Sequence, residues 1–254
     1  MIVDVLGASG GELPGHRTTS FLLDGVLAVD AGALTASLPL EALLRVEDVV
    51  LTHSHLDHVK DVPLLADLLT GRRDRPLRVH ASTACAATLR DSVFNDRLWP
   101  DFTRIPSPDR PTVELRPFEP SRPFQVGRYR VEPVPVTHSV DCVGLIVSDG
   151  AAALAVSGDT GPTERFWERV SAAERLSALF VELSFPSALQ WLADLSGHLT
   201  PRTLQAELRK ISRPAVPVYL YHLKPAHQAE LERELQTLGL DGVTILRAGD
   251  RLNL

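Results

Sequence analysis

The stretch Asp48-Val49-Val50-Leu51-Thr52-His53-Ser54-His55-Leu56-Asp57-His58 decides the fold. An apolar run, the mark of a strand, empties into three imidazoles and a carboxylate. Histidine is the commonest protein metal ligand, and carboxylates complete hard or borderline sites. At the end of a strand, alternation throws His53 and His55 to the same side. A tight turn straight afterwards brings Asp57 and His58 round to a second ion. One short segment would then serve two metals held close together. The plain alternative is a solvated polar loop, but a His cluster of this density is a metal-site signal in its own right.

The rest of the chain supplies what such a site lacks. There are nine histidines. Three of them sit in segments that read as strand-to-loop exits, Val136-Thr137-His138, Leu220-Tyr221-His222 and, before a helix, Ser196-Gly197-His198. Asp159 follows the apolar run that leads into Val156-Ser157-Gly158-Asp159-Thr160-Gly161. Two divalent ions repel unless a negative oxygen lies between them, so a dinuclear site needs a bridging carboxylate beside several neutral nitrogens. The expected assignment is His53, His55 and His138 to one ion, Asp57, His58 and His222 to the other, and Asp159 as the bridge. Taken singly, each isolated residue reads as a satisfied polar group. The expectation rests on the set.

Composition sets outer bounds. A chain of 254 residues with 44% apolar and 23% charged residues has the makings of an ordinary soluble globular protein. A net charge of -6 argues against general affinity for nucleic-acid backbones, so no stable nucleic-acid partner is expected. Cys85 and Cys142 make neither a disulfide framework nor a thiolate cluster and read as small buried residues of a reducing compartment. The N-terminal Met1-Ile2-Val3-Asp4-Val5-Leu6 has no basic region and no long apolar core, so it reads as a strand rather than a signal peptide. No apolar run has the length of a membrane span. A cytoplasmic protein without a membrane partner is the expectation.

Short apolar strands are predicted at 2–6, 20–23, 26–29, 49–52, 77–80, 129–136, 144–147, 152–156, 179–183, 216–221 and 243–246. Helices are predicted over 62–69, stopped by Gly71, and from Pro162 to about residue 173. Thr200-Pro201 opens another to about residue 211, and Pro225 opens one over 226–238, stopped by Gly239. Strands covered by helices indicate an α/β layered fold forming one domain, residues 1–254. The Pro-rich stretch 99–123 reads as an insertion, a surface loop over the site. In layered α/β folds, ligands gather at strand ends, which is where these candidates lie.

With those residues in place, the chain resembles the metallo-β-lactamase-fold hydrolases, αββα sandwiches that bind two metals between their sheets. The motifs that carry the likeness are His53-x-His55-x-Asp57-His58, His138, Ser157-Gly158-Asp159-Thr160 and His222, in the family's order. They extend over essentially the whole chain. His55 stands where flavodiiron-type oxidoreductases place a Glu, and Asp159 where lactamases proper commonly use a Cys. Two further segments, Val181-Glu182-Leu183-Ser184-Phe185 and Gly197-His198-Leu199-Thr200-Pro201, are similar to the phosphodiesterase branch, which includes ribonuclease Z and the class II cyclic-nucleotide phosphodiesterases. In that branch, the resemblance implies, Glu182 orients His198 and His198 protonates the leaving oxygen. Gly7-Ala8-Ser9-Gly10-Gly11, Leu27-Ala28-Val29-Asp30-Ala31-Gly32 and Tyr221-His222-Leu223-Lys224-Pro225 look most like the cyclic-nucleotide enzymes. Asp30 reads as a residue that steadies the metal loop.

The resemblance implies hydrolysis of the 3',5'-cyclic bond of cAMP or cGMP to a nucleoside 5'-monophosphate by a hydroxide bridging two divalent ions. Zinc is the default, and manganese or iron also suits these donors. His198, Glu182 and Asp57 form the expected catalytic set. The glycine-rich start lacks the spacing of a dinucleotide fingerprint and instead lets backbone approach a ligand. Ser9 within it and Lys224 are the candidate substrate contacts. The partner is a small phosphodiester, and the resemblance implies a homodimer. Alternatives on the same site are a ribonuclease Z-like tRNA 3'-processing endonuclease and a thioester or lactone hydrolase. The short stretch between His138 and Asp159 leaves no room there for a tRNA-binding arm. A metal-stabilised scaffold without activity is the remaining class.

Overall fold

A computed structural model describes residues 1–213, 215–240 and 242–254. The first sheet takes its strands mainly from the N-terminal half: β1 (Ile2–Gly7), β2 (Ser20–Leu23), β3 (Leu27–Val29), β4 (Asp48–Val50) and β5 (Leu77–Ser82). A small hairpin, β6 (Pro106–Ser107) and β7 (Arg110–Pro111), precedes its edge strand β8 (Val113–Phe118). The second sheet follows as β9 (Phe124–Val126), β10 (Tyr129–Pro135), β11 (Val143–Ser148), β12 (Ala153–Val156), β13 (Leu176–Glu182), β14 (Val218–Tyr221) and β15 (Thr244–Ile245). The last strand, β16 (Arg251–Asn253), returns to pair with β1. The orders are β16-β1-β2-β3-β4-β5-β8 and β15-β14-β13-β12-β11-β10-β9.

Three apolar layers hold these sheets. Val3, Val5, Phe21, Val29, Val156, Phe180 and Tyr221 pack between them. There the Phe21 ring meets Phe180 at 5.0 Å and Tyr221 at 5.3 Å, both edge-on. On the outer face of the first sheet lie α1 (Leu34–Ser37), α2 (Leu40–Leu43), α3 (Leu56–Val59), α4 (Asp61–Leu69) and α5 (Thr83–Thr88), packed through residues such as Leu34, Leu43, Val62 and Leu65. The second sheet is followed by α6 (Arg165–Ala172), α7 (Gln190–Ser196), α8 (Pro201–Leu208) and α9 (Gln228–Thr237). Of these, α6, α8 and α9 pack on its outer face through Phe166, Trp167, Leu204 and Leu231. Helix, sheet, sheet and helix layers result, as the strand and helix patterns predict. Among the described residues, no helix is long and apolar enough to cross a membrane.

Three local expectations are corrected. Part of the Pro-rich stretch is sheet: β8 runs parallel to β5, with Val113 and Phe118 buried. As an edge strand, β8 tolerates Pro117, whose missing N–H would break an interior ladder. The helix expected from Pro162 starts only at Arg165. The Thr163 N–H donates to the buried Glu207 carboxylate instead (2.9 Å), which also accepts from Trp167 Nε1. The segment before His198 leaves a helix, α7, not a strand. The Thr200 cap is as read, with Thr203 completing a reciprocal capping box and Pro201 in the first turn.

Candidate metal centre and active site

In the second sheet, β10, β12, β13 and β14 run the same way, since β10 and β12 are each antiparallel to β11 and β12–β13–β14 are parallel. Their C-terminal ends therefore open on one edge. His138 follows β10, Asp159 follows β12, Glu182 ends β13 and His222 follows β14. The first sheet contributes the loop after β4.

That loop does not use strand alternation. The strand stops at Val50, and His53 and His55 lie in irregular chain beyond it. What shapes the loop is the buried Asp30 carboxylate, which accepts Thr52 N–H (2.8 Å) and Thr52 Oγ1 (2.9 Å) and pairs with His58 Nδ1 (2.7 Å). Asp57 and His58 sit on the single turn α3. Glycines let backbone close on this site. A Cβ on Gly32 would lie 2.1 Å from Asp57 O, and one on Gly10 would lie 2.4 Å from His222 O. His222 itself has a φ of 68°, the left-handed region that a bulky residue rarely adopts.

Hydrogen-bond partners assign the imidazole protons. Nδ1–H of His58 donates to Asp30, that of His138 to Gly197 O (2.9 Å) and that of His222 to Ser184 Oγ (2.8 Å). His53 Nδ1 lies 3.0 Å from Thr52 Oγ1, whose own proton goes to Asp30. Each of the four thus turns an Nε2 lone pair inward. His55 differs, with Nδ1 facing His138 Nε2 at 3.1 Å.

These atoms converge. Asp159 Oδ2 lies 3.6 Å from His53 Nε2, 3.3 Å from His58 Nε2 and 3.2 Å from His222 Nε2. His222 Nε2 is also 3.2 Å from Asp57 Oδ2. Ligand atoms within 4.8 Å of one another form three groups: His53, His55, His138 and Asp159; Asp57, His58 and His222; and Asp159, His198 and His222. The first two reproduce the division drawn from the sequence, with Asp159 contacting both sides.

The donor set fits divalent cations. His53 Nε2, His58 Nε2 and Asp159 Oδ1 are buried with no hydrogen-bond partner among the described residues. Leaving such atoms unmatched costs about 1–3 kcal/mol each, and coordination would satisfy them. Burial, with His58 beside it, pushes His53 well below the usual histidine range, and burial lowers His55 and His138 as well. Burial opposes charge on His58 too, yet Asp159 and Asp30 hold that ring well above the usual range. Against burial, His222 and His58 keep both Asp159 and Asp57 ionised. Neutral imidazoles such as His53, His55 and His138 beside ionised carboxylates are the forms that bind metal, whereas His58 holds a proton that an arriving cation would displace.

Beside the cluster stands a second assembly. His198 Nδ1 lies 3.0 Å from Glu182 Oε1, an oxygen that also accepts the N–H groups of Leu199 (3.0 Å) and Thr160 (3.2 Å). Burial disfavours charge on His198, but the Glu182 carboxylate raises the ring above the usual histidine range. Its centroid is 5.0 Å from that of His138 and 5.3 Å from that of His222. Gly197, at a φ of 70°, packs against His138 so closely that a Cβ would lie 2.8 Å from its Cα. Sequence reasoning did not single out Thr52 or Ser184, although alternation from Glu182 puts Ser184 on the same side.

The two candidate substrate contacts have local partners. Ser9 Oγ lies 3.4 Å from His16 Nδ1, in a 230 Å³ cavity shared with Arg17, Leu223, Gln228 and Arg247. Lys224 Nζ donates to Gly10 O at 2.6 Å and sits 5.9 Å above the Phe185 ring.

The pattern that defines the Beta-lactamase superfamily domain matches residues 19–222, from the residue before β2 to His222. The chain belongs to this superfamily. A probable 3',5'-cyclic-nucleotide phosphodiesterase of Yersinia pestis is 27% identical over 248 residues, 87% of this chain and 69% of that protein. Among solved structures, unliganded yeast PDE1 superposes with a TM-score of 0.83 at 20% identity, covering 100% of this chain and 99% of that one. The short form of human tRNase Z gives 0.67 at 16%, covering 100% and 99%. At such identities the two structures speak for the superfamily fold, which is the metallo-β-lactamase sandwich expected from the motifs.

Proposed function

We propose that this superfamily member is a two-metal phosphodiesterase that hydrolyses 3',5'-cyclic nucleotides, cAMP or cGMP, to nucleoside 5'-monophosphates. His53, His55 and His138 would hold one ion, Asp57, His58 and His222 the other, with Asp159 between them. When bound, such a pair of divalent ions, zinc by default, polarises a phosphoryl oxygen and lowers the pKa of water toward neutrality. Asp57 and Asp159 offset the positive charge.

The observation that carries the choice of reaction is the Glu182–His198 pair at the margin of the cluster. A sugar alkoxide expelled from phosphorus needs a proton, whereas the thiolate of a thioester leaves without one. His198 keeps Nδ1–H on Glu182 and delivers the proton from Nε2. Lys224, fixed by Gly10 O, adds positive charge on the same side, since it is one of the groups that act on His198 electrostatically. The name of the Yersinia relative supports the substrate class. The tRNase Z likeness raises RNA processing as a second reading, and two features weigh against it. The net charge is -6, and only the β11–β12 hairpin separates His138 from Asp159.

The test is comparative turnover by the metal-loaded protein of cAMP, cGMP, a 2',3'-cyclic nucleotide and a precursor tRNA. Release of 5'-monophosphate from the 3',5'-cyclic substrates is expected. Cleavage of the tRNA without turnover of any cyclic nucleotide would overturn the proposal.

A further inference from the structure

Ser184 follows Glu182 by two residues and is fully buried. A hydroxyl has one proton to give and two lone pairs to offer, and here all three are engaged. The proton goes to Glu182 Oε2 at 3.0 Å. One lone pair faces His222 Nδ1 at 2.8 Å and the other His198 Nδ1 at 3.1 Å, where it shares the proton that Glu182 Oε1 accepts. Backbone bonds on both sides pin the residue: its N–H donates to Leu199 O (3.2 Å), and its carbonyl accepts from Lys224 N (3.4 Å). Among the described residues, no other side chain hydrogen-bonds both His198 and His222.

We propose that Ser184 is a positioning residue that joins the metal-holding half of the site to the proton-donating half. By accepting His222 Nδ1–H, it keeps that ring in the tautomer whose Nε2 lone pair points at Asp57 and Asp159. By donating to Glu182 Oε2, it fixes the carboxylate plane, so that Oε1 stays on His198 Nδ1. One buried hydroxyl therefore sets the aim of a ligand and of the acid together. The inference rests on the metal-site reading above, but its main readout, metal affinity, does not depend on which ester is cleaved.

A merely space-filling serine makes a different forecast. Alanine would fill nearly the same volume and leave His222 Nδ1–H without an acceptor. Outer hydrogen-bond partners of ligating histidines are typically worth ~10–100-fold in metal affinity. In Ser184→Ala, competition with a chromophoric chelator should show that loss for one ion, the one assigned to His222, while the ion of His53, His55 and His138 stays within about two-fold of wild type. At saturating metal, kcat for a cyclic nucleotide should fall with KM little changed, because Glu182 has lost a donor. Ser184→Thr, which keeps the hydroxyl, should recover most of both. Thermal unfolding of the metal-free proteins checks that each variant folds. If Ser184→Ala does not, Ser184→Cys, similar in size with a weak acceptor, takes its place and should show the same one-sided loss. Two affinities both unchanged, or both weakened alike, would overturn the role. Wild-type protein that binds two ions but turns over no cyclic nucleotide would defeat the substrate proposal and leave this one to be decided by the chelator result.

Discussion

Replacing His198 with Ala should separate substrates by their leaving groups. The ring is nearly buried, with 6% of its surface exposed, and Nδ1 is held by an oxygen that two backbone N–H groups also fix. A donor so constrained has little freedom to be replaced by solvent. General-acid help of this kind is typically ~10²–10⁴-fold, or about 2.7–5.5 kcal/mol of barrier. A cyclic nucleotide expels a sugar alkoxide and should lose that whole factor in kcat. A 4-nitrophenyl phosphodiester expels a phenolate that needs no proton, so its loss should stay under ~10-fold. Steady-state kinetics on both substrates, at equal metal occupancy measured by elemental analysis, provides the comparison. Occupancy matters because Asp159, His198 and His222 also come within 4.8 Å of one another. Equal losses on the two substrates would refute proton donation, and loss of an ion from the variant would make His198 a ligand instead.

Asp159→Ala should abolish bound metal and turnover together, since His53 on one side and His58 and His222 on the other all lie within 3.6 Å of that carboxylate; retention of two ions by elemental analysis would contradict the bridging assignment. Gly10→Ala puts a methyl 2.4 Å from His222 O and 2.8 Å from its Nδ1, so metal affinity should fall in chelator competition while Gly15→Ala, whose Cβ meets nothing within 4 Å, leaves it unchanged. Away from the site, Asp48 is held from 3.8 to about 2 by Arg78 and His80 in spite of burial. A lowered folded value stabilises above pH 4 and loses that effect as pH falls toward 2, so Asp48→Asn should cost on the order of 2 kcal/mol in urea unfolding at pH 7 and little at pH 2. An equal cost at both pH values would exclude the ionic origin.

Strand and helix periods exposed much of the architecture, because buried strands such as Ser20–Leu23 and Tyr129–Pro135 must run largely apolar to fill the layers on the two faces of a sheet. Candidate ligands stood out for a related reason: histidines and aspartates at strand exits have few structural uses. What stayed hidden depends on distant partners. The strand Val113–Phe118 carries Glu114, Arg116 and Pro117, and only pairing with β5 makes it sheet. The closeness of His53 and His55 comes from Thr52 and Asp30, not from alternation. Ser184 is an ordinary polar residue until Glu182, His198 and His222, from the ends of β13, α7 and β14, surround it.

The strained backbone of His222 explains why the chain's opening residues belong to the site. Holding a non-glycine residue in a sparsely populated region costs about 1–3 kcal/mol and persists only where the surroundings over-determine it. Here the surroundings are β1 and the glycines after it. His222 N–H donates to Ala8 O at 2.6 Å, Gly10 N–H donates to Leu223 O at 3.1 Å, and Gly10 brings bare backbone against the ring. Lys224 returns the contact through Gly10 O. Those supports lie before residue 19, where the superfamily match begins, whereas the histidine they brace is the residue where it ends. The glycine-rich start thus acts first on protein: it clamps His222 in a conformation that β14 alone would not give it, and Ser184 then selects which nitrogen of that ring faces inward.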